Sequence, residues 1–136
     1  MKLNALIKKI DPETLIVFSL FITYFIFGIL KVIGVSPVQK AITDLLPWAG
    51  VEAFMLVGIA EVILAVGILI PRFRNIFAVM IILHLIFVSL FSVFVPNLFF
   101  SSKTILTVEA QFVLKNLVYL AATYYLIWKR VSGDKK

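Results

Sequence analysis

The chain has no cysteine and one histidine, His84. Without cysteine there are no disulfides, no thiol catalysis and no thiolate metal site. With one imidazole, a metal would need oxygen ligands, and such sites rarely tolerate a neighbouring lysine, so no metal ligand set is assigned. Charge is scarce too: 15% of the 136 residues are Asp, Glu, Lys or Arg, against about 25% in ordinary soluble domains. Acidic residues are the rarer kind, 7 against 13 basic, for a net charge of +6. The basic residues gather at the ends of apolar segments, and no basic, aromatic-interleaved polar surface remains for nucleic acid. What abounds is apolar residues, at 62%, where soluble domains carry about 45–50%.

A bilayer core of about 30 Å needs roughly 20 helical residues. Four stretches meet that length: about 14–33, 51–70, 75–95 and 105–128. Asp11 before Pro12 and Glu13 opens the first as N-cap with proline in the first turn. Pro71 and Pro96 stop the second and third, and Lys129 and Arg130 end the fourth. The first stretch is too long for a signal-peptide core and lacks a following small-residue cleavage site, so it is expected to stay on the mature protein. The predicted fold is all-α, one domain over residues 1–136: an integral membrane four-helix bundle.

Loop charge orients the bundle. Lys2, Lys8, Lys9, Arg72, Arg74, Lys129, Arg130, Lys135 and Lys136 fall on one side if the helices alternate, with Lys40, Lys103 and nearby Lys31 on the other. This predicts cytoplasmic termini in a multi-pass protein of the cell inner (plasma) membrane. In the first outer loop, Val38, Ile42, Leu45 and Leu46 recur at helical spacing around Lys40 and Asp44. They predict a short amphipathic helix on the outer face, with Trp48 at the interface. Leu98, Phe99 and Phe100 in the second outer loop are expected to dip into the headgroups.

Against this apolar background the buried polar residues stand out. Glu61, His84 and Lys115 each fall near the middle of a different stretch. A charge at the bilayer centre costs at least about 2.5–3.5 kcal/mol, so it calls for a partner or a purpose. Matching depths pairs Glu61 with Lys115. Above them Gln111, Glu109 and Lys31 form a column rising to the outer face, and the inner half holds almost no ionisable residue. Helical periodicity aligns Tyr24, Gly28 and Lys31; Gly58, Glu61 and Ala65; Met80, His84, Phe87 and Phe91; and Glu109, Phe112, Asn116, Tyr119 and Thr123. Gln111 and Lys115 flank the last stripe, and Glu52 falls on the opposite side of its helix from Glu61. Small residues beside Glu61 allow a neighbouring helix to approach closely. The candidate ligand-binding set is Lys31, Glu61, His84, Glu109, Gln111, Lys115 and Asn116. Each has a plainer alternative: an ion pair locking two helices, a satisfied core histidine, and packing for Phe87 and Phe91. Tyr119, Tyr124, Tyr125 and Trp128 read as an inner interfacial belt.

The run TVEAQFVLKNLVYLAA resembles the last helix of bacterial and archaeal DoxX-like membrane proteins, in which an acidic residue and glutamine precede a lysine–asparagine pair. FGILKVIG and GIAEVILAVGILIP agree with the first and second helices of that family. The resemblance spans nearly the whole chain. It implies a four-helix membrane bundle with Gly28, Lys31, Glu61, Lys115 and Asn116 as family-like positions. It also implies an association with quinone-linked or stress-related redox proteins.

Three functions follow as expectations. The first is a redox-associated subunit binding a quinone-like or other small amphipathic ligand in a polar pocket open to the outer face. Its ring would pack on Tyr24, Phe87 or Phe91, and a second redox membrane or periplasmic protein would be its partner. The second is a non-enzymatic accessory or assembly protein with a purely structural ion pair. The third is a small proton-linked transporter; four helices make a sparse pathway for it, which a homo-oligomer would enlarge. No catalytic residue is assigned.

Overall fold

The computed structural model describes residues 11–36, Gln39, Thr43, Pro47, 50–93 and 107–133. Four α-helices make up nearly all of this: α1 (Pro12–Val32), α2 (Gly50–Leu69), α3 (Arg74–Val93) and α4 (Val108–Gly133). Gln39 and Thr43 are helical; the rest of the expected outer-face helix, and Leu98, Phe99 and Phe100, lie outside the described residues.

The helix ends follow local chemistry. Asp11 caps α1 by accepting from the Thr14 amide at 3.0 Å and the Thr14 hydroxyl at 2.8 Å, with Pro12 at the first helical position. At the other end Gly34 takes φ +76°, a left-handed conformation that costs glycine little. The Val35 amide then reaches the Leu30 carbonyl at 3.0 Å, and the Gly34 amide reaches that of Lys31 at 3.2 Å. This Schellman arrangement stops α1 at a defined height. Thr107 caps α4 through its hydroxyl, which accepts from the Ala110 amide at 3.1 Å. The fourth helix therefore begins later than expected. It also ends later, because Lys129 and Arg130 suit a helix C-terminus and do not interrupt it.

α1 packs most extensively on α2, and α3 on α4; α2 against α3 and α1 against α4 close the bundle. Gly28 and Gly58 set the α1–α2 distance. A Cβ on Gly28 would lie 2.8 Å from the Gly58 carbonyl oxygen, and one on Gly58 would lie 2.7 Å from the Gly28 carbonyl oxygen. Further along α2, a Cβ on Gly67 would strike the Phe77 ring, so this glycine lets α3 fold back against α2. The core gathers Val17, Leu20 and Tyr24 of α1, Leu64, Ala65 and Ile68 of α2, Ala78, Ile81 and Leu85 of α3, and Leu126 of α4.

The outer faces are apolar as well. Phe18 and Ile26 on α1, Leu56 and Ile63 on α2, Leu83 and Phe87 on α3, and Leu117 and Val118 on α4 are all more than half exposed. Soluble monomers rarely display contiguous apolar patches beyond a few hundred Å². α1 and α2 are long and apolar enough to cross a membrane; the apolar part of α3, Arg74–Leu90, is shorter.

One end of the bundle is tied by charge. Glu13 Oε1 accepts from Arg74 at 2.6 Å and lies 3.6 Å from Arg130, while its other oxygen is 3.2 Å from Lys129 Nζ. Lys129 also lies 3.6 Å from Asp11. Arg74 Nε donates to the Ile68 carbonyl at 3.2 Å and Arg130 to the Pro71 carbonyl at 3.0 Å, covering the C-terminal end of α2. All four helices meet in this clasp, which sequence reading treated only as a charge bias. The Thr14 hydroxyl and amide hold the Asp11 carboxyl below its ordinary range, and Glu13 raises the Lys129 ammonium above its own.

Candidate functional site

At the α1–α2 crossing, both Glu61 oxygens lie within 2.6 Å of Lys31 Nζ. The pair is nearly dry, with side-chain exposures of 12% for Lys31 and 7% for Glu61. Direction explains how a lysine in the last turn of α1 reaches an acid in the middle of α2. Side chains lean toward the N-terminus of their own helix. On two antiparallel helices, Lys31 leans inward and Glu61 outward, and they meet between their backbones. Gly58 makes the approach possible by leaving room beside Lys31 Cβ. The Lys31 ammonium also sits 5.9 Å from the Phe54 ring centroid, which adds a cation–π attraction.

α3 continues the polar chain. His84 Nε2 lies 3.5 Å from Glu61 Oε1, close enough to feel the carboxylate but not hydrogen-bonded to it, and it is fully buried. His84 Nδ1 is 3.1 Å from the Tyr24 hydroxyl, which is also 3.5 Å from the Ile81 carbonyl. The two rings meet edge-on, with centroids 5.5 Å apart. The donor–acceptor pattern selects a tautomer. A hydrogen on Nε2 faces the Glu61 carboxylate and lets Tyr24 donate to Nδ1; a hydrogen on Nδ1 would instead be given to Tyr24, whose own hydrogen would go to the Ile81 carbonyl. The opposite tautomer would set two lone pairs against each other. Lys31, Glu61, His84 and Tyr24 thus form one polar chain across three helices, with an N–H donor set, a carboxylate acceptor and a phenol at its end.

Three of the seven sequence-derived candidates, Lys31, Glu61 and His84, come together here. The expected Glu61–Lys115 pair is replaced by Glu61–Lys31: Lys115 lies on the exposed side of α4, as does Gln111. Gln111 and Lys115 therefore stand apart from the buried pair. Asn116 is half-buried and donates to Ser89 Oγ at 3.4 Å, joining α4 to α3. The side chains of Glu109, Phe91 and Phe112 lie outside the described residues. Phe87 is 67% exposed, because the inward face of α3 runs through Ala78, Ile81 and Leu85; Met80 is turned outward with it. Tyr119 leaves the expected belt to face α1, its hydroxyl 3.4 Å from Thr23. Glu52 is exposed, as its position opposite Glu61 predicts. Tyr24 was missing from the candidate set, although its i, i+4, i+7 spacing with Gly28 and Lys31 carried the signal. Among the described residues no group of three or more His, Cys, Asp or Glu could hold a metal ion.

Comparison of the chain with protein-family models, with curated proteins and with solved structures returned no match.

Proposed function

We propose that this chain is an integral membrane protein of the DoxX-like kind that binds a quinone-like or other small amphipathic ligand at the Lys31–Glu61–His84–Tyr24 centre, as a subunit of a redox assembly. In this reading four helices cross the membrane, and the end tied by Glu13 faces the cytoplasm. The apolar outer faces and the basic residues at that end support the placement. The observation that carries the ligand reading is the buried His84 Nε2–H, which makes no hydrogen bond and has the Glu61 carboxylate 3.5 Å away. Such a group is costly unless something completes it. A carbonyl oxygen beside it would take that hydrogen and a second one from Lys31. Because the chain has no cysteine, thiol-based redox chemistry would belong to a partner protein.

Titration of the purified protein with a menaquinone or ubiquinone analogue tests this. Saturable binding is expected, weakened about 10-fold in His84→Ala, the equivalent of one hydrogen bond, and less in Tyr24→Phe. Absence of saturable binding, or equal affinity in His84→Ala, would overturn it.

A second reading has its own support in the bidentate Lys31–Glu61 pair at the glycine crossing. There the pair only locks α1 to α2, and the protein is an accessory or assembly factor. Replacing both residues by apolar ones would then leave its cellular function intact.

A further inference from the structure

The clasp at the basic end has more positive charge than it uses internally. Around Asp11 and Glu13 stand Arg74, Lys129 and Arg130, and Arg72 lies in the turn whose Pro71 carbonyl Arg130 holds. Among the described residues, three cations thus contact the two carboxylates, and Arg72 lies in the adjoining turn. Arg72 is exposed, its guanidinium 5.7 Å from the Phe73 ring centroid, and a guanidinium presents an N–H fork that suits a bidentate anion. Lys129 keeps 40% of its side chain exposed while bridging the two acids. Beside Arg72 lie exposed apolar side chains, Leu69, Ile70, Phe73 and Ile76. A ligand matching both features carries a phosphate at one end and long acyl chains at the other.

We propose that this end is a binding site for an anionic phospholipid, its headgroup phosphate held by Arg72 and Lys129 and its chains lying along Leu69, Ile70 and Phe73. The site is separate from the Lys31–Glu61 centre and rests only on the membrane reading of the chain. Arg74 and Arg130, turned inward onto Glu13 and the α2 carbonyls, hold the clasp in shape. The excess positive charge then selects against zwitterionic lipid, as basic clusters at a membrane surface do.

The full chain, reconstituted into nanodiscs of phosphatidylcholine alone or with phosphatidylglycerol, provides the test. Incorporation into both types checks the membrane reading by itself, and failure to incorporate would overturn the proposal with it. The anionic lipid is expected to raise Tm by about 5 °C over phosphatidylcholine. Arg72→Gln, an exposed position that leaves the clasp intact, should remove about half of that rise, and Arg72→Gln with Lys129→Gln nearly all of it. An equal Tm in both lipids would overturn the proposal, as would a rise unaffected by Arg72→Gln. So would a rise reproduced by inorganic phosphate added to the phosphatidylcholine sample, since the site would then recognise a free anion and not a lipid.

Discussion

The bundle holds two carboxylates against cations in opposite ways. Glu61 is buried and has one lysine, gripped by both oxygens. Glu13 sits at the bundle end among Arg74, Lys129 and Arg130. At the end, water shares the solvation and three cations share the acid, so any one can be lost and the others remain. In the middle, among the described residues, Glu61 has no second lysine or arginine beside it, and little water reaches the pair. A charge stripped of its partner there keeps its full desolvation cost. Position in the bundle, more than the chemistry of the pair, decides how much each contact matters.

The sharpest way to break this contrast is to remove one partner at each place. Lys31→Met or Glu61→Leu alone should cost about 3–5 kcal/mol, whereas the double variant should recover most of it. Arg74→Ala should cost about 1 kcal/mol or less and be sensitive to salt. Reversible unfolding in mixed micelles measures all four. A double variant as unstable as the singles would remove the distinction between the two sites.

Next in size is Gly58→Val. The added side chain meets the Gly28 carbonyl and Lys31 Cβ, and overpacking of this kind typically costs about 1–3 kcal/mol. The same change at Gly133, where a Cβ would meet nothing within 4 Å, should be silent. Distance measurements between spin labels on α1 and α2 should show separation only for the Gly58 variant.

The smallest effect belongs to the clasp and is read by pH. The folded Asp11 carboxyl titrates below its ordinary value of 3.8 because the Thr14 hydroxyl and amide stabilise its charged form. A carboxyl depressed in the fold contributes stability that is present above its unfolded pKa and lost as pH falls through the folded one. Asp11→Asn keeps a capping oxygen and removes the titration. The Tm difference between wild type and Asp11→Asn should therefore be constant at neutral pH and shrink below pH 3.8. A difference flat through that range would show that Asp11 contributes only as a neutral cap.

The four helices could be read from hydrophobic run length, because a span is a property of composition. Their ends were less legible. The fourth stretch was expected to close at Trp128 because Lys129 is charged, but charge marks where an apolar surface stops, and the helix continues to Gly133. The stripes Tyr24–Gly28–Lys31 and Gly58–Glu61–Ala65 point inward as their spacing requires. Of the α3 stripe His84 points inward but Phe87 and Met80 do not, since both are as apolar as the residues that replaced them, and periodicity cannot choose between two apolar faces. The Glu61 partner was misassigned for a different reason. Counted in residues along each helix, Lys31 stands well above Glu61. A lysine side chain leaning toward its helix N-terminus closes that gap. The clasp was hidden because nothing in a sequence shows that Glu13, Arg74 and Arg130 converge.

The crossing of Gly28 and Gly58 also bears on how such a chain can change over generations. At most packed contacts a larger residue on one helix is tolerated once a smaller one appears opposite. Here each added carbon would strike the other glycine's carbonyl oxygen, and a backbone atom cannot be made smaller by substitution. Neither position offers the other a compensating change. The pair is an evolutionary dead lock, and the lysine and glutamate beside it inherit a fixed separation across which to vary.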